Sequence, residues 1–166
     1  MRKRNLLFID NAKLLNNTNF RGEEIRRDGR VVNEAGCRTF CIMIDDPDEA
    51  QALAEQGWNV RMTLPREDEE GNPIPVISYI PVTVGFKFPP KEMIMETESG
   101  KETFLDESTI GCLDDFHIIF VDAVLSPKYW EDSNGNTKIK AYLYQLYAKI
   151  EENRWESKHL RSREEE

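Results

Sequence analysis

Lysines and tyrosines alternate with apolar residues near the end of the chain, in the segment KIKAYLYQLY. On a β-strand the even-numbered residues Lys138, Lys140, Tyr142 and Tyr144 share one face, because successive side chains point to opposite sides of a sheet. Ammonium groups neutralise phosphates and aromatic rings stack on bases, which is how many proteins hold a single nucleic-acid strand. The pattern therefore predicts a basic and aromatic surface that an unpaired strand could cross.

Two other segments add residues of the same kinds. Arg61 falls on the polar side of a predicted strand at 58–65, and Tyr79 and Lys87 fall on the polar side of another at 76–88. The predicted phosphate contacts are Arg21, Arg38, Arg61, Lys87, Lys138 and Lys140, and the predicted stacking residues are Tyr79, Trp130, Tyr142 and Tyr144. A purely structural interpretation stays open, because aromatic residues favour strands and charged residues keep sheets soluble.

Acidic pairs are the strongest candidates for catalysis, and both have simpler explanations. Asp45 and Asp46 precede a predicted helix, where a carboxylate caps free backbone N–H groups. Asp114 and Asp115 border a strand and fit a loop. The sequence has no Gly-rich phosphate loop and no G-x-S-x-G motif. We therefore expect a protein that is not an enzyme, with no catalytic residue.

Cysteine and histidine residues do not form a metal-binding pattern. Cys37 and Cys41 lie four residues apart without a second cysteine pair, and Cys112 is distant in sequence. Structural zinc needs four converging ligands, so we expect small core or sheet residues, with no metal and no cofactor. The odd number of cysteines also argues against a disulfide framework and favours a reducing compartment.

Charge is distributed unevenly along the chain. The net charge is -9, but residues 1–30 carry 8 basic and 4 acidic residues, so the remainder is strongly acidic. Electrostatic fields act over about 8 Å at physiological salt, so a locally basic surface remains compatible with a polyanionic partner. The acidic remainder equally suits a basic protein partner. The first apolar run, LLFI, is too short for a signal peptide or a membrane span, which favours a soluble intracellular protein.

Most apolar runs have a period of two residues, which predicts a β-protein. Strands are expected at 6–10, 12–20, 36–45, 58–65, 76–88 and 116–125, a hairpin at 91–106, and a short helix within 45–57. The Asn134-Gly135 pair predicts a further hairpin with a primed turn, which leads into the strand that carries Lys138. The charged segment 66–75 is expected to form a mobile loop.

Several orientations follow from the alternation. Trp58, Val60, Met62 and Leu64 are expected to face the core together, as is Phe40. In the strand at 76–88, the expected core residues are Val76, Ile80, Val82, Val84, Phe86 and Phe88. Pro81 predicts an edge strand or a bulge there. Strand 116–125 is almost wholly apolar and is expected to be buried, and Tyr147 is expected on the core side of the last strand.

These elements predict an all-β fold with one short inserted helix, arranged as a small barrel or sandwich. The barrel domain is expected to span residues 1–152. Residues 153–166 are highly charged and are expected to form a tail or a short helix.

Six motifs occur in a defined order between residues 13 and 152. They are NF-G-E (19–24), N-x-x-G-x-R-x-F-C-x-x-I-D (33–45), GWNVR (57–61), PPK (89–91), LDESTIGCLD (105–114) and YW…NG…IKAYL (129–143). In this order they resemble a family of small bacteriophage and prophage proteins that bind single-stranded DNA. The resemblance implies an OB-like barrel that coats single-stranded DNA during phage replication or recombination.

The resemblance also implies a cytoplasmic location in the bacterial host. Single-stranded DNA is then the main partner, with replication or recombination proteins and further copies of the chain as additional candidates. Two departures from the family pattern are visible. The loop between Phe20 and Asn33 is longer than in the family and carries Arg26, Arg27 and Arg30. The chain also ends in SREEE, without the terminal aromatic residue of the familiar bacterial single-strand binders.

Two alternatives stay open at this stage. A β-barrel interaction module could bind a protein partner through its acidic surface. An accessory domain acting on RNA would need contacts to the 2′-hydroxyl group, which sequence does not reveal.

Overall fold

Twelve strands and two short helices make up residues 5–151, which are the residues that the computed structural model describes. The strands are β1 (Leu7–Ala12), β2 (Ile25–Arg27), β3 (Arg30–Asn33), β4 (Arg38–Ile44), β5 (Arg61–Met62), β6 (Arg66–Glu67), β7 (Pro73–Ile74), β8 (Ser78–Val84), β9 (Glu92–Thr97), β10 (Glu102–Phe104), β11 (Ile118–Glu131) and β12 (Thr137–Ile150). Helix α1 spans Pro47–Glu55, and a 3-10 helix spans Ile110–Asp115. The prediction of a β-rich fold with one short inserted α-helix is confirmed. The expected tail lies outside the described residues.

Five of these strands close into a ring. The main sheet runs in the order β1–β11–β12–β8–β4, with β12 and β8 parallel and the other neighbours antiparallel. The segment after β1 then returns to β4: the N–H of Met43 donates to the carbonyl oxygen of Lys13 (2.8 Å), and the N–H of Leu15 donates to that of Cys41 (3.0 Å). This closure produces a five-stranded barrel of the OB-like kind that the sequence predicts.

The interior of the barrel is filled by the apolar faces of alternating strands. Ile80 and Val82 of β8 are almost fully buried, as is Ile42 of β4. Phe20 and Phe40 stack with ring centroids 5.0 Å apart, and Trp58 is 6% exposed. The expected core positions of Phe40 and Trp58 are therefore confirmed. Strand β11 is central, as expected, since it lies between β1 and β12. Only its inner residues, Val121, Ala123 and Leu125, are fully buried, because a barrel has one interior.

Helix α1 begins and ends where the sequence predicts. The Asp46 carboxylate caps it by accepting a hydrogen bond from the N–H of Asp48 (3.0 Å), and Pro47 occupies the first turn. Directly after the helix, the carbonyl oxygen of Gly57 accepts from the N–H of Ile139 (2.8 Å). The helix thus delivers the chain to the side of β12 and inserts Trp58 into the core.

The expected long strand at 58–65 is mostly an arm that leaves the barrel. Only Arg61–Met62 forms a strand there, and Met62 and Leu64 are 64% and 84% exposed. The supposed mobile loop contains the short hairpin of β6 and β7, closed by the Asp68 carboxylate, which accepts from the N–H groups of Glu70 and Asn72. Met62 pairs with Ser78 of β8 and Leu64 lies in the arm, but neither has a core beside it, so their expected core positions were wrong.

Strand β8 is shorter than predicted and is not an edge strand. Val76 and Phe88 lie outside it and are 42% and 84% exposed, so their expected core positions were wrong. Pro81 lies opposite Cys41, whose carbonyl oxygen is bonded away from β8 to Leu15. The nitrogen of Pro81, which carries no hydrogen, therefore points away from β4. On that side β8 pairs with β5 as far as Tyr79 and with β12 from Val82, so Pro81 lies between the two pairings. No ladder hydrogen bond is lost there, which explains how a strand with neighbours on both sides accommodates proline.

A β-bulge in β12 reverses the expected orientation of its second half. Val124 pairs with Gln145 and Leu125 pairs with Leu143, so Tyr144 is the additional residue. After it, Leu146 is buried and Tyr147 lies outside the core beside Phe120. The expectation that Tyr147 faces the core was therefore wrong, because a bulge shifts the alternation by one residue.

Both predicted hairpins are present, and one has a different turn. Strands β9 and β10 form the hairpin expected at 91–106. Between β11 and β12 the turn has five residues, in which only Gly135 has a positive φ (80°), so it is not the two-residue primed turn that the sequence predicts. Asp132 explains the difference, because its carboxylate accepts from the N–H groups of Asn136 and Asn134. These hydrogen bonds lower the pKa of the Asp132 carboxyl group.

Asp114 attaches the 3-10 helix to the turn that follows β1. Its carboxylate accepts from the backbone N–H groups of Phe20 (3.0 Å) and Arg21 (2.9 Å). Replacing it in Asp114→Ala leaves both groups without partners, so we expect the free energy of unfolding in urea to fall by about 1–3 kcal/mol. Asp115→Ala is the matched control: it removes an exposed ion pair with Arg21 and is expected to change stability little. Equal losses in the two variants would contradict this account.

Candidate nucleic-acid interface

The outer face of the β11–β12 hairpin carries cations and aromatic rings. Lys128 pairs with Lys140, and Trp130 pairs with Lys138, so these four side chains lie on the same side of the sheet. The residues between them on β12 are buried. Lysines that directly face each other repel, which an anionic ligand between them would relieve. The predicted clustering of Trp130, Lys138 and Lys140 is thus present in the structure.

Tyr142 lies at the centre of this cationic group. The Lys128 and Lys140 Nζ atoms are 5.6 Å and 5.4 Å from the centroid of its ring. The ring also lies against the backbone of Gly85, where an added Cβ would be 3.5 Å from a ring carbon. That distance is an ordinary van der Waals contact, so the residue after β8 packs directly beside the ring.

An open groove runs beside Tyr142. The segment 85–89, with Lys87 and Phe88, forms one wall, and residues 126–129 form the other. Tyr142 and Tyr144 lie along it, and its volume is about 1210 Å³. Tyr144, the bulged residue, also lines this groove, and its carbonyl oxygen accepts from the N–H of Lys91 (2.7 Å). The structure thereby brings Lys87, Tyr142 and Tyr144 together.

Arg61 and Tyr79 form a second patch on the same outer surface. They are directly opposite each other in the β5–β8 pair. The segment that contains Arg61 lies between β12 and β8, since the carbonyl oxygen of Gly57 is bonded to Ile139 of β12. This patch is therefore the next one along the sheet from Lys138, rather than part of the groove.

Arg38 and Arg21 do not line the groove. The side chain of Arg38 is on the inward-facing side of β4, and its guanidinium lies 5.2 Å from the centroid of the Phe86 ring. Its Nε atom is buried and has no hydrogen-bond partner among the described residues. Arg21 is paired with Asp115, and the hydrogen bond and charge of Asp115 raise the pKa of the guanidinium. A role for either residue in phosphate binding therefore needs a strand that extends beyond the groove.

The structure adds groove residues that the sequence-based set omits. Lys128 joins the site because the register across the five-residue turn places it opposite Lys140, and the predicted two-residue turn did not give that register. Tyr129 lines the groove and is 53% exposed. Phe88 was assigned to the core by alternation alone. The two prolines after it, Pro89 and Pro90, were the available signal that the strand had ended.

The cysteines lie outside this site. Burial raises the pKa of the Cys41 and Cys112 thiols, which disfavours the nucleophilic thiolate, and Cys37 is exposed just before β4. Within residues 5–151 no group of three or more potential metal ligands occurs. The helices of this part of the chain are all too short or too polar to cross a membrane.

A closed OB-like barrel with cations and aromatic rings along an open outer groove is typical of proteins that bind a single nucleic-acid strand. A sequence profile described as "Putative phage ssDNA-binding domain" matches residues 1–164. The chain belongs to this family of phage single-stranded DNA-binding domains.

Comparisons with individual proteins give more distant similarities. The solved structure of the single-stranded DNA-binding protein from bacteriophage Enc34 has 9% sequence identity and a TM-score of 0.46, over 89% of this chain and 82% of that one. The structure of gp2.5, a single-stranded DNA-binding protein encoded by bacteriophage T7, has 10% identity and a TM-score of 0.40, over 91% and 89%. The search of curated proteins found no match.

Proposed function

We propose that this protein coats single-stranded DNA in the host cytoplasm during phage replication or recombination, without catalysing a reaction. The observation that carries the proposal is Tyr142, whose ring lies in an open groove with two lysine ammonium groups 5.4 Å and 5.6 Å from its centroid. In this arrangement one residue offers a face for a base, and its neighbours offer charges for the flanking phosphates.

The energies indicate how the free site changes when DNA binds. A cation–π contact at an exposed ring is worth about 0.5–1 kcal/mol. Stacking of a base on an aromatic side chain is worth about 1–3 kcal/mol. The two lysine contacts together are worth about 1–2 kcal/mol, which is comparable to one stacked base. Exchange of the lysines for a base on the ring of Tyr142 is therefore driven by the phosphate contacts that the released ammonium groups of Lys128 and Lys140 gain. Because every base has an aromatic face, this binding tolerates any sequence.

The remaining predicted contacts extend the path of the strand. Tyr144 and Lys87 continue it along the groove, while Trp130 and Lys138 continue it toward the tip of the β11–β12 hairpin. Arg61 and Tyr79 lie on the adjoining patch and suit a strand that curves across the sheet. Arg21 and Arg38 are peripheral contacts in this scheme.

Tryptophan fluorescence provides the direct test. The chain has three tryptophans, so the test uses a Trp155→Phe background. Of the two that remain, Trp130 is 51% exposed on the proposed interface, whereas Trp58 is 6% exposed in the core and serves as an internal reference. We expect oligo(dT) to quench the emission at low salt, with recovery at high salt, and Trp130→Phe to remove most of the quenching. Duplex DNA of the same length is expected to quench weakly. Absence of quenching by oligo(dT) at low salt would instead favour the module that binds a protein partner.

A matched ribose oligonucleotide separates DNA from RNA. We expect oligo(dT) and oligo(U) to compete for the same groove, with DNA bound at least as tightly. The proposed contacts are to bases and phosphates, and none depends on a 2′-hydroxyl group. Clearly tighter binding of the ribose strand would favour an RNA-directed role.

A further inference from the structure

Two exposed hairpins of opposite charge project from the barrel, and neither belongs to the groove. The first, here called the basic hairpin, comprises residues 25–33 with strands β2 and β3. The second, here called the acidic arm, comprises residues 62–77 with strands β6 and β7. Both also expose apolar side chains.

The basic hairpin carries unpaired positive charge. Arg27 and Arg30 face each other across the turn formed by Asp28 and Gly29, and no carboxylate of residues 5–151 forms an ion pair with either. Like charges directly opposite each other on a hairpin are destabilising. Val31 and Val32 beside them are 44% and 58% exposed. This surface is therefore suited to a partner that is both acidic and apolar.

The acidic arm has the complementary composition. Its tip contains Glu67, Glu69 and Glu70, all exposed, and none forms an ion pair within the described part of the chain. Leu64 and Val76 are exposed behind the tip. Phosphates repel such a surface, so it is not a DNA contact.

The two hairpins are anchored at opposite ends of the β4–β8 ladder. The basic hairpin leads into Arg38, which pairs with Val84, while the acidic arm leads into Ser78, which pairs with Ile44. Seven strand residues separate these ends, a distance of about 20 Å. Because the complementary surfaces sit at opposite ends of one barrel, contact between two copies joins different surfaces on each and can continue to further copies.

We infer that the acidic arm of one copy docks on the basic hairpin of the next, forming a head-to-tail array along single-stranded DNA. The inference rests on the proposed function, because DNA supplies the high local concentration that a contact between two small hairpins needs. Each added copy then stabilises its neighbour, so binding to a long strand is cooperative.

Charge reversal tests the docking directly. One variant combines Arg26→Glu, Arg27→Glu and Arg30→Glu; the other combines Glu67→Lys, Glu69→Lys and Glu70→Lys. Asp68 is kept because it closes the turn of the arm. Starting from a net charge of -9, three reversals change it by six units, to -15 and -3 respectively. Both variants remain acidic, so net charge alone does not attract one to the other.

Cooperativity is measured on long poly(dT), and intrinsic affinity on an oligonucleotide that holds one copy. We expect the wild type to bind poly(dT) cooperatively and each variant alone to lose cooperativity by about tenfold or more, because like charges now meet at the contact. An equimolar mixture of the two variants is expected to bind cooperatively again. The reversed hairpin of one variant, now acidic, then contacts the reversed arm of the other, now basic. A control with Asp10→Lys, Glu98→Lys and Glu102→Lys has the same net charge as the arm variant and is expected to remain cooperative.

Two results would overturn the inference. One is non-cooperative binding by the wild type, and the other is a mixture no more cooperative than its separate components. Binding to the single-copy oligonucleotide reports the groove alone. If the wild type does not bind this oligonucleotide, the proposed function is contradicted. If the wild type binds it but binds poly(dT) without cooperativity, only the docking is contradicted.

Discussion

Replacing Tyr142 with alanine is expected to weaken binding of single-stranded DNA by about 5- to 150-fold, which corresponds to about 1–3 kcal/mol for one lost base stack. The ring is the central aromatic face of the groove, and Lys128 and Lys140 both lie over it. Fluorescence anisotropy of a labelled oligo(dT) measures the change at constant salt.

Two controls separate stacking from other effects of the Tyr142→Ala change. Tyr142→Phe keeps the ring and is expected to bind nearly as well as the wild type. Phe104→Ala removes another exposed aromatic residue, 67% exposed on β10 and away from the groove, and is expected to have no effect. An affinity for Tyr142→Ala equal to that of the wild type would show that bases do not stack in this groove.

Removing both lysines that flank Tyr142 is expected to change the salt dependence of binding. Each phosphate contact on a single strand contributes about 0.7 to the slope of log K against log salt, so the Lys128→Ala, Lys140→Ala double variant is expected to lose about 1.4 from the slope. If the double variant and the wild type bind equally well at 1 M salt, this difference in slope makes the variant bind about 25-fold more weakly than the wild type at 0.1 M salt. Titrations at several salt concentrations measure both quantities.

The slope distinguishes this effect from that of Tyr142. Loss of a stacking ring lowers affinity at every salt concentration and leaves the slope unchanged, whereas loss of a phosphate contact lowers the slope. The matched control is the Lys13→Ala, Lys101→Ala double variant, which removes the same charge from exposed positions outside the groove. Equal slopes for the wild type and the Lys128, Lys140 variant would exclude these lysines as phosphate contacts.

The fold class was accessible from sequence because it depends on local patterns. Period-two alternation identified β4, β8 and β12, and the acidic residue before Pro47 identified the start of α1. The same rule misplaced Met62, Leu64 and Phe88, since alternation describes a pleated strand and does not say whether a core lies beside it. Met62 pairs with Ser78 of β8 and is still 64% exposed, and Leu64 in the arm is 84% exposed.

The candidate site was accessible only in part. Side-chain chemistry and alternation identified Tyr142, Lys138 and Lys140 on one strand. Lys128 belongs to the site because it pairs with Lys140. Arg38 does not line the groove, because its side chain is on the inward-facing side of β4. The first outcome depends on the register across the β11–β12 turn, which the residue pattern alone does not fix. The second was already contained in the alternation, because Arg38 has the same parity as the buried residues Phe40 and Ile42.

By itself, the sequence determined the β-rich class, the short helix, the family and the types of side chain available for DNA. The tertiary structure decided where those side chains meet. Closure of the barrel through Lys13 and Met43, the bulge at Tyr144 and the packing of Gly85 beside Tyr142 all join residues far apart in the chain. The physical reason is that alternation and capping are set by neighbouring residues, whereas a groove is set by the register between strands.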